Sequence, residues 1–302
     1  MGAEVSLYRS GRGSAEQRTA DWPVHLSAYL DNAKSETVAE TLDLAEIDIL
    51  LEDGSGAPSS DRLPSLIVGR VTDLGGHGPQ AGWQGGELIA QAESGLLALI
   101  GDSKKAPLSL GGHQLAYSAG LALFTGLMIA LRHRAATGVG QQVETSLLET
   151  AAYIEWKGRV YIQTGGDLAR GDLSGPFVSR CSDGPFGFYY RPTDWPAVVA
   201  VLGSDRLDVP QFATHALRLR NHDELCRVIN ELCESTTRDE LYHRLQAVGV
   251  PAGPVYDAHD LLYSEQYGER GFIVPVPGGE TGARQPALPV RFNDQRPQRP
   301  AA

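Results

Sequence analysis

A glycine-rich loop is the first stretch of this 302-residue chain whose residue types could take part in chemistry. It reads TDLGGHGPQ over residues 72–80 and follows PSLIVGRV, a β-branched run that predicts a strand over 64–71. Such a loop lets a ligand approach backbone N–H groups at the carboxyl edge of a parallel sheet. Gly75, Gly76 and Gly78 are therefore candidate ligand-binding residues. The loop does not read GxGxxG, which disfavours a dinucleotide site.

A second glycine-rich segment, residues 10–19, lies near the start of the chain and carries positive charge. Arg12 and Arg18 lie within it, and Arg9 directly precedes it. Three guanidinium groups on one loop could face an anionic ligand, and charges that are only solvated are the alternative. The pattern alone leaves both interpretations open.

One long apolar run is expected to organise the elements that position these loops. It extends from Leu115 to Leu131 and contains Gly120 and Gly126. At about 17 residues it is shorter than the roughly 20 that span a bilayer, so we expect no membrane span. Glycines weaken a helix unless another segment packs closely against them. We therefore predict a helix that is buried on all sides, in a deep interior or a dimer core.

The segments that follow this run carry further helical patterns. After a basic turn at 132–141, Val143, Leu147 and Leu148 recur at helical spacing and predict another helix. Later in the chain, two capping-box patterns each precede apolar residues at helical spacing and predict two short helices. These patterns are Asn221 with Glu224 and Thr237 with Glu240.

Composition limits the class of protein and its partners. The chain has 26 basic and 37 acidic residues, a formal charge of −11, which disfavours binding to nucleic acid. Its three cysteines, Cys181, Cys226 and Cys233, have neither metal spacing nor a disulfide framework. We interpret them as small buried side chains in a reducing cytosol, and we expect no metal cofactor. The N-terminus lacks a signal-peptide pattern, so a cytoplasmic location is expected.

Several short motifs, taken in order, give the sequence a family resemblance. The chain resembles the family III CoA-transferases, the group that includes formyl-CoA, carnitine and bile-acid CoA-transferases and, as a relative, α-methylacyl-CoA racemase. The matching motifs are GAEV at 2–5, NAKS at 32–35, GHGP at 76–79, AESG at 92–95, AG at 119–120, ALRHRAATGVGQQVETSLLE at 130–149, VGVPAGPVYDAHDLL at 248–262 and RGF at 270–272. Together they extend over nearly the whole chain.

The resemblance implies an α/β fold with a Rossmann-like large domain and a small α-rich domain. The large domain would comprise residues 1–180, and the small domain residues 181–275. Residues 276–302 would return to the large domain. In this family two chains thread through one another, so the resemblance also implies an interlocked dimer, which fits an apolar helix buried on several sides.

The resemblance further implies transfer of CoA between carboxylic acids. In the family an aspartate attacks the acyl thioester, and a mixed anhydride and then an aspartyl-CoA thioester form. Glycine-rich loops shield the intermediate and donate N–H groups to the oxyanion. Arg18 is the closest match to a family arginine that anchors the CoA phosphates. Arg134, Gly138 and Gly140 in the basic turn would contact CoA or the partner chain, and cations that stabilise a helix C-terminus are the alternative.

The sequence departs from the family at the reacting residues. The family nucleophile lies four residues before the glycine that matches Gly120, and that position is Ala116 here. The histidine of the racemase branch corresponds to Gly86, so that mechanism is not supported either. In the family a strand and a helix precede GAEV and contribute to the CoA site. Since this sequence begins there, the resemblance implies that an edge of the sheet and part of the CoA site are absent unless another polypeptide supplies them.

Three side chains could replace the missing acid. His113 and Tyr117 lie within one helical turn of Ala116, and His77 lies in the glycine loop. A histidine could act as a general base near neutral pH, and Tyr117 could donate a hydrogen bond to an oxyanion. Ordinary packing at a helix start is the alternative for His113 and Tyr117.

These observations lead to one preferred interpretation and two alternatives. We expect a protein that acts on an acyl-CoA or a carboxylic acid as a non-nucleophilic subunit, in a homodimer or in a heterodimer with a related chain that carries the aspartate. The first alternative is a stand-alone enzyme with other chemistry, carried by His113, Tyr117 or His77. The second is an inactive homodimer that serves as a binding or scaffold protein.

Overall fold

A computed structural model of the chain describes residues 6–8, 35–37, 43–52, 63–166, 170, 177–276 and 282–297. The chain divides into two compact units. One unit is Asp43–Pro176, and the other combines Met1–Leu42 with Phe177–Ala302. The fold is mixed α/β, as the sequence predicts.

A three-stranded parallel sheet forms the centre of unit Asp43–Pro176. Its strands, in spatial order, are β3 (Ile49–Glu52), β4 (Ile67–Thr72) and β5 (Gln142–Ser146). Strands β1 (Ser6–Tyr8) and β2 (Ser35–Thr37) come earlier in the chain, belong to the other unit, and pair in parallel. The helices of unit Asp43–Pro176 are α1 (Glu87–Glu93), α2 (Leu96–Leu99), α3 (Gln114–Thr137), α4 (Leu147–Ile154) and α5 (Trp156–Gln163).

The strand predicted before the glycine loop is confirmed as β4, the central strand of the sheet. The helix predicted across 143–148 is wrong in its first half. Val143 lies on β5, where it pairs with Gly69 of β4. The helix begins only at Leu147. Ser146 caps it, because its hydroxyl accepts a hydrogen bond from the Glu149 N–H at 3.1 Å. Val143 and Thr145 are β-branched, and such residues favour a strand over a helix. The segment before Ser146 is therefore more stable paired with β4 than as an extension of the helix.

Helix α3 packs along β4 and β5 with one face only. Its buried side chains recur at helical spacing: Leu115, Ala119, Leu123, Leu127 and Ala130. The opposite face carries large apolar side chains that are exposed in this chain: Tyr117, Leu121, Phe124, Met128 and Ile129. The prediction of a helix buried on all sides is therefore wrong for the single chain. Among the described residues, α3 is also the helix that is long and apolar enough to cross a membrane, by length and composition alone.

Two glycines of this unit allow close packing, and a third does not. A Cβ added to Gly126 of α3 would lie 2.6 Å from Val143 Cγ1, so the missing side chain lets α3 settle onto β5. A Cβ added to Gly140 would overlap the carbonyl oxygen of Leu66. Gly120 has no atom within 4 Å of its added Cβ.

The contrast between Gly140 and Gly120 gives a stability prediction. Gly140→Ala is expected to lower the free energy of unfolding by about 3 kcal/mol, because backbone rather than a flexible side chain must move. Gly120→Ala, in the interior of α3 and facing open space, is expected to raise it by about 0.5–1 kcal/mol. Urea unfolding followed by circular dichroism measures both. Equal effects of the two substitutions would contradict the packing described here.

The second unit contains a three-stranded antiparallel sheet and most of the remaining helices. Its sheet has the order β6 (Phe177–Cys181), β7 (Gly184–Phe188), β8 (Gly253–Pro254). A separate hairpin pairs β9 (Ile273–Pro275) with β10 (Arg284–Pro286). The helices are α6 (Trp195–Leu202), α7 (His215–Arg220), α8 (His222–Cys233), α9 (Arg238–Ala247), α10 (Ala258–Tyr263) and α11 (Glu265–Glu269).

Helices α8 and α9 are the two helices that the capping patterns predict. Thr237 caps α9, because its hydroxyl accepts a hydrogen bond from the Glu240 N–H at 3.3 Å. Asn221 precedes α8 but does not cap it. Its side-chain amide donates instead to the carbonyl oxygens of Gln211 and Leu217, so this half of the prediction is wrong.

The three cysteines are free thiols in this unit. Cys181 and Cys233 are buried in the core that joins β6, β7 and α8, and Cys226 is half-buried. Burial raises the pKa of the Cys181 and Cys226 thiols to about 11. Thiols with such a pKa are poor nucleophiles near neutral pH, as expected for packing residues.

Candidate active site

The glycine loop leaves the carboxyl end of β4, the central strand of the parallel sheet. Gly76 donates its N–H to Oε1 of Glu144 on β5, with an N···O distance of 2.7 Å. A Cβ at Gly76 would lie 2.6 Å from the other oxygen of that carboxylate. A side chain at position 76 would therefore displace the Glu144 carboxylate from its present position.

The rest of the loop is fixed at its ends and open in its middle. Asp73 accepts a hydrogen bond at Oδ2 from the Gly85 N–H at 3.0 Å, and its carbonyl oxygen accepts one from the Leu148 N–H. Gly75 and Gly78 have positive φ angles of 111° and 90°, which favour glycine. His77, between them, is exposed. The loop thus presents backbone and one imidazole to solvent at the sheet edge.

The N-terminus of α3 carries the other predicted site residues. Ala116 is exposed, and Tyr117 is 62% exposed. His113 precedes the helix with a φ of 57°, unusual for a residue with a side chain, and its side chain makes no capping hydrogen bond. His113, Ala116 and Tyr117 therefore lie together at the first turn of α3, whereas no hydrogen bond or ring contact within the described part of the chain links them to His77.

The backbone N–H of Ala116 is hydrogen-bonded to a side-chain carboxylate. Oε1 of Glu87, the first residue of α1, accepts a hydrogen bond from the Ala116 N–H with an N···O distance of 2.6 Å. An anion is well placed there, because unpaired N–H groups and the helix dipole favour negative charge at a helix N-terminus.

Glu87 and Glu144 are the site residues that the sequence does not reveal. The Glu87 contact joins residues 29 apart, and the Glu144 contact joins residues 68 apart. A glutamate at a helix start is common for electrostatic reasons alone. Only the contact with Ala116 distinguishes Glu87, and it forms because α1 and α3 both pack against α4.

The basic turn has structural contacts of its own. Arg134 forms an ion pair with Asp48, 3.0 Å from Nη2 to Oδ1, and donates to the carbonyl oxygens of Asp48 and Ser65. Gly138 ends α3 in the left-handed conformation, with its N–H bound to the Arg134 carbonyl oxygen. Gly140 donates to the Pro64 carbonyl oxygen at 2.7 Å. These contacts explain the positions of Arg134, Gly138 and Gly140 without a bound ligand. Arg18 lies outside the described residues.

One cluster in the described part of the chain combines three potential metal ligands. Asp257, His259 and Asp260 have ligand atoms within 4.8 Å of one another. The two carboxylates are already engaged at the start of α10, where each accepts the backbone N–H of the other residue. Asp260 also binds Arg238, 3.1 Å away. The cluster is therefore explained as a helix cap.

Comparison with known proteins identifies the family. The sequence pattern of CoA-transferase family III matches residues 57–302, well over half of the chain. The chain belongs to CoA-transferase family III. The resemblance drawn from the short motifs is thereby confirmed.

Two relatives of known name are CoA-transferases. An acyl-CoA transferase of Fusarium pseudograminearum is 27% identical over 77% of this chain and 54% of its own length. The succinyl-CoA–L-malate CoA-transferase alpha subunit of Chloroflexus aurantiacus is 29% identical over 81% of this chain and 62% of its own length. This family III chain thus matches between a half and two thirds of the length of these two relatives.

The same fold occurs in a solved structure. A CaiB/BaiF family protein from Brucella suis superimposes with a TM-score of 0.80 and 23% sequence identity, over 99% of this chain and 87% of that protein. At this identity the likeness establishes the mixed α/β fold of the family III chain.

Proposed function

We propose that this chain acts on an acyl-CoA and a carboxylic acid as a subunit that has no nucleophile at residue 116. A related chain of the same fold would carry the aspartate. Membership of CoA-transferase family III supports the substrate class, and the methyl group of Ala116 supports the subunit role. A relative that is named as an alpha subunit is consistent with such pairing.

Coenzyme A would enter this site as part of the acyl-CoA substrate. The exposed edge of the glycine loop, with Gly75 and Gly78, offers backbone that a thioester can approach closely. Arg18 stays a candidate for the CoA phosphates. We also propose a Rossmann-like arrangement of the large domain predicted over residues 1–180. We propose a cytoplasmic location as well, because all three cysteines are free thiols.

The exposed apolar face of α3 is the surface on which we propose that the second chain packs, in an interlocked dimer. Leu121 is 67% exposed and Ile129 65% exposed, an arrangement that water disfavours. The opposite face of α3 packs on the parallel sheet, as a core helix of a globular protein does, and Arg132 and Arg134 lie in its last turns. A protein partner therefore fits this face better than a bilayer does.

Copurification tests the proposed function. The tagged chain, isolated from its native host, is expected to bring down a related chain with aspartate at the position of Ala116. The pair is expected to exchange CoA between succinyl-CoA and a free acid. Calorimetry with CoA then shows whether this chain contributes to binding. A chain that isolates without a related partner and binds no CoA would contradict the proposal.

A further inference from the structure

A groove of about 450 Å³ lies beside strands β6 and β7 at the end of helix α8. Ligand pockets of small organic molecules have volumes of this order. Strand β6 is at the edge of its sheet, and the whole groove belongs to the unit that contains Phe177–Ala302. The lining residues are Val178, Ser179, Arg180, Pro185, Asn230 and Glu234. None of them belongs to the candidate active site.

Two side chains of this groove carry opposite charges and are not paired with each other. Arg180 and Glu234 are both exposed. Within the part of the chain that the structure describes, neither side chain takes part in a hydrogen bond or an ion pair. Because the two groups line one groove without meeting, a ligand that carries both charges can bind between them.

The side-chain amide of Asn230 is oriented by the edge of the sheet. Its Oδ1 accepts a hydrogen bond from the Arg180 N–H at 3.0 Å. Since a backbone N–H can only donate, this contact defines which end of the amide is the oxygen. The NH₂ group has no partner among the described residues and is available to a ligand. With the Arg180 guanidinium it forms a set of donors that suits a carboxylate.

Glu234 occupies an electrostatically unfavourable position at the end of α8. It is the residue that ends this helix, and its N–H donates to the Asn230 carbonyl oxygen at 3.1 Å. The carbonyl oxygens at a helix C-terminus carry partial negative charge, which disfavours a carboxylate and favours a cation. An ammonium group beside Glu234 would therefore be attracted both by the carboxylate and by the helix end.

The wall of the groove also contains a buried hydroxyl group. Ser179 is 1% exposed, and its Oγ has no hydrogen-bond partner of normal geometry among the described residues. The Cys233 thiol is its polar neighbour, and a thiol is a weak hydrogen-bonding group. Buried hydroxyl groups normally have a partner, so an oxygen atom of a ligand would complete this one.

We propose that this groove binds a small zwitterion, a molecule with one carboxylate, one ammonium group and an apolar part. The carboxylate binds Arg180 and the NH₂ group of Asn230, and the ammonium group binds Glu234. Val178 and Pro185, both exposed, contact the apolar part. A free amino acid such as leucine and a short peptide share this chemistry. The inference concerns a second site, and it does not depend on the proposed function.

Calorimetry with matched probes tests the inference. The full chain, with any related chain that copurifies, is titrated with leucine and with leucyl-leucine. Two further probes keep the apolar group of leucine: 4-methylpentanoate lacks the ammonium group, and 3-methylbutylamine lacks the carboxylate. At least one zwitterion is expected to bind at least about tenfold more tightly than either half-molecule, because each half-molecule loses charge-assisted hydrogen bonds. The tighter zwitterion shows whether the ligand is an amino acid or a peptide.

Substitutions in the groove locate the binding site. Arg180→Gln and Glu234→Gln should each weaken binding of the tighter zwitterion by at least about tenfold. Arg220→Gln and Glu269→Gln are the matched controls, because both residues are exposed in the same unit but do not line the groove. They should leave the affinity unchanged.

The inference is overturned if no probe binds, if a half-molecule binds as tightly as the zwitterions, or if zwitterion binding survives in both groove variants. Circular dichroism shows whether each variant is folded. If a variant is not folded, the comparison of the four probes on the natural chain decides.

Discussion

Ala116→Asp, combined with Glu87→Gln, is expected to give this chain a CoA thioester at residue 116 after incubation with succinyl-CoA, which mass spectrometry detects as the reduced residue after borohydride treatment. Glu87 accepts a hydrogen bond from the residue 116 N–H, so replacing its carboxylate by an amide leaves the new aspartate as the one carboxylate at this contact. The amide oxygen that Glu87→Gln introduces can still accept the residue 116 N–H, and its NH₂ group can donate to the new aspartate. The nucleophile would thus stand where the family carries it.

The matched control for this exchange is Ala116→Asn in the same Glu87→Gln background. Asparagine has the shape of aspartate but no reactive carboxylate, so the thioester signal at residue 116 should be at least about a hundredfold lower than with aspartate. Ala116→Asp alone should perform worse than the double variant, because it sets two carboxylates side by side. If the double variant binds CoA but carries no label at residue 116, the family position has been misassigned.

Leu121→Asp is expected to dissociate the proposed two-chain assembly. Leu121 lies on the exposed face of α3, and a carboxylate there would be buried without a partner when a second chain packs on it. The dissociation constant should rise by at least about a hundredfold, equivalent to about 3 kcal/mol. Light scattering after size exclusion, at several protein concentrations, measures the change.

Val178→Asp provides the control for Leu121→Asp. Val178 is similarly exposed, but it lies on β6 in the other unit and is not part of the α3 face. It should leave the assembly unchanged. An assembly that survives Leu121→Asp would exclude this face as the interface. Sedimentation of the natural chain with lipid vesicles, lost in Leu121→Asp, would instead identify a membrane as the partner of α3.

The sequence predicts those parts of the fold whose signal is local. The β-branched run before the glycine loop is strand β4, and the long apolar run is helix α3. The pattern across Val143 and Leu147 misleads because a strand directly precedes a helix, and their combined spacing imitates a longer helix. Periodicity cannot distinguish the two when a single residue, Ser146, both ends the strand and caps the helix.

The candidate site is less predictable, because its contacts join distant parts of the chain. From the sequence alone, Gly140 could belong to a ligand-binding turn or to a close packing contact. In the structure it allows the backbone of Leu66 to pack closely against it. The approach of Glu87 to Ala116 depends on how two helices pack, which no spacing rule gives. The apolar spacing of the sequence predicts the buried face of α3, but it does not predict that Leu121 and Ile129 are exposed in the single chain.

The fit of Gly126 against Val143 restricts how this protein can diverge. With 2.6 Å between an added Cβ and the valine methyl group, a larger residue at 126 becomes acceptable only after residue 143 has become smaller. A larger residue at 126 that appears before the change at 143 gives a destabilised protein. Substitutions at these two positions should therefore occur together among close homologues, although they lie on a helix and a strand with different surroundings.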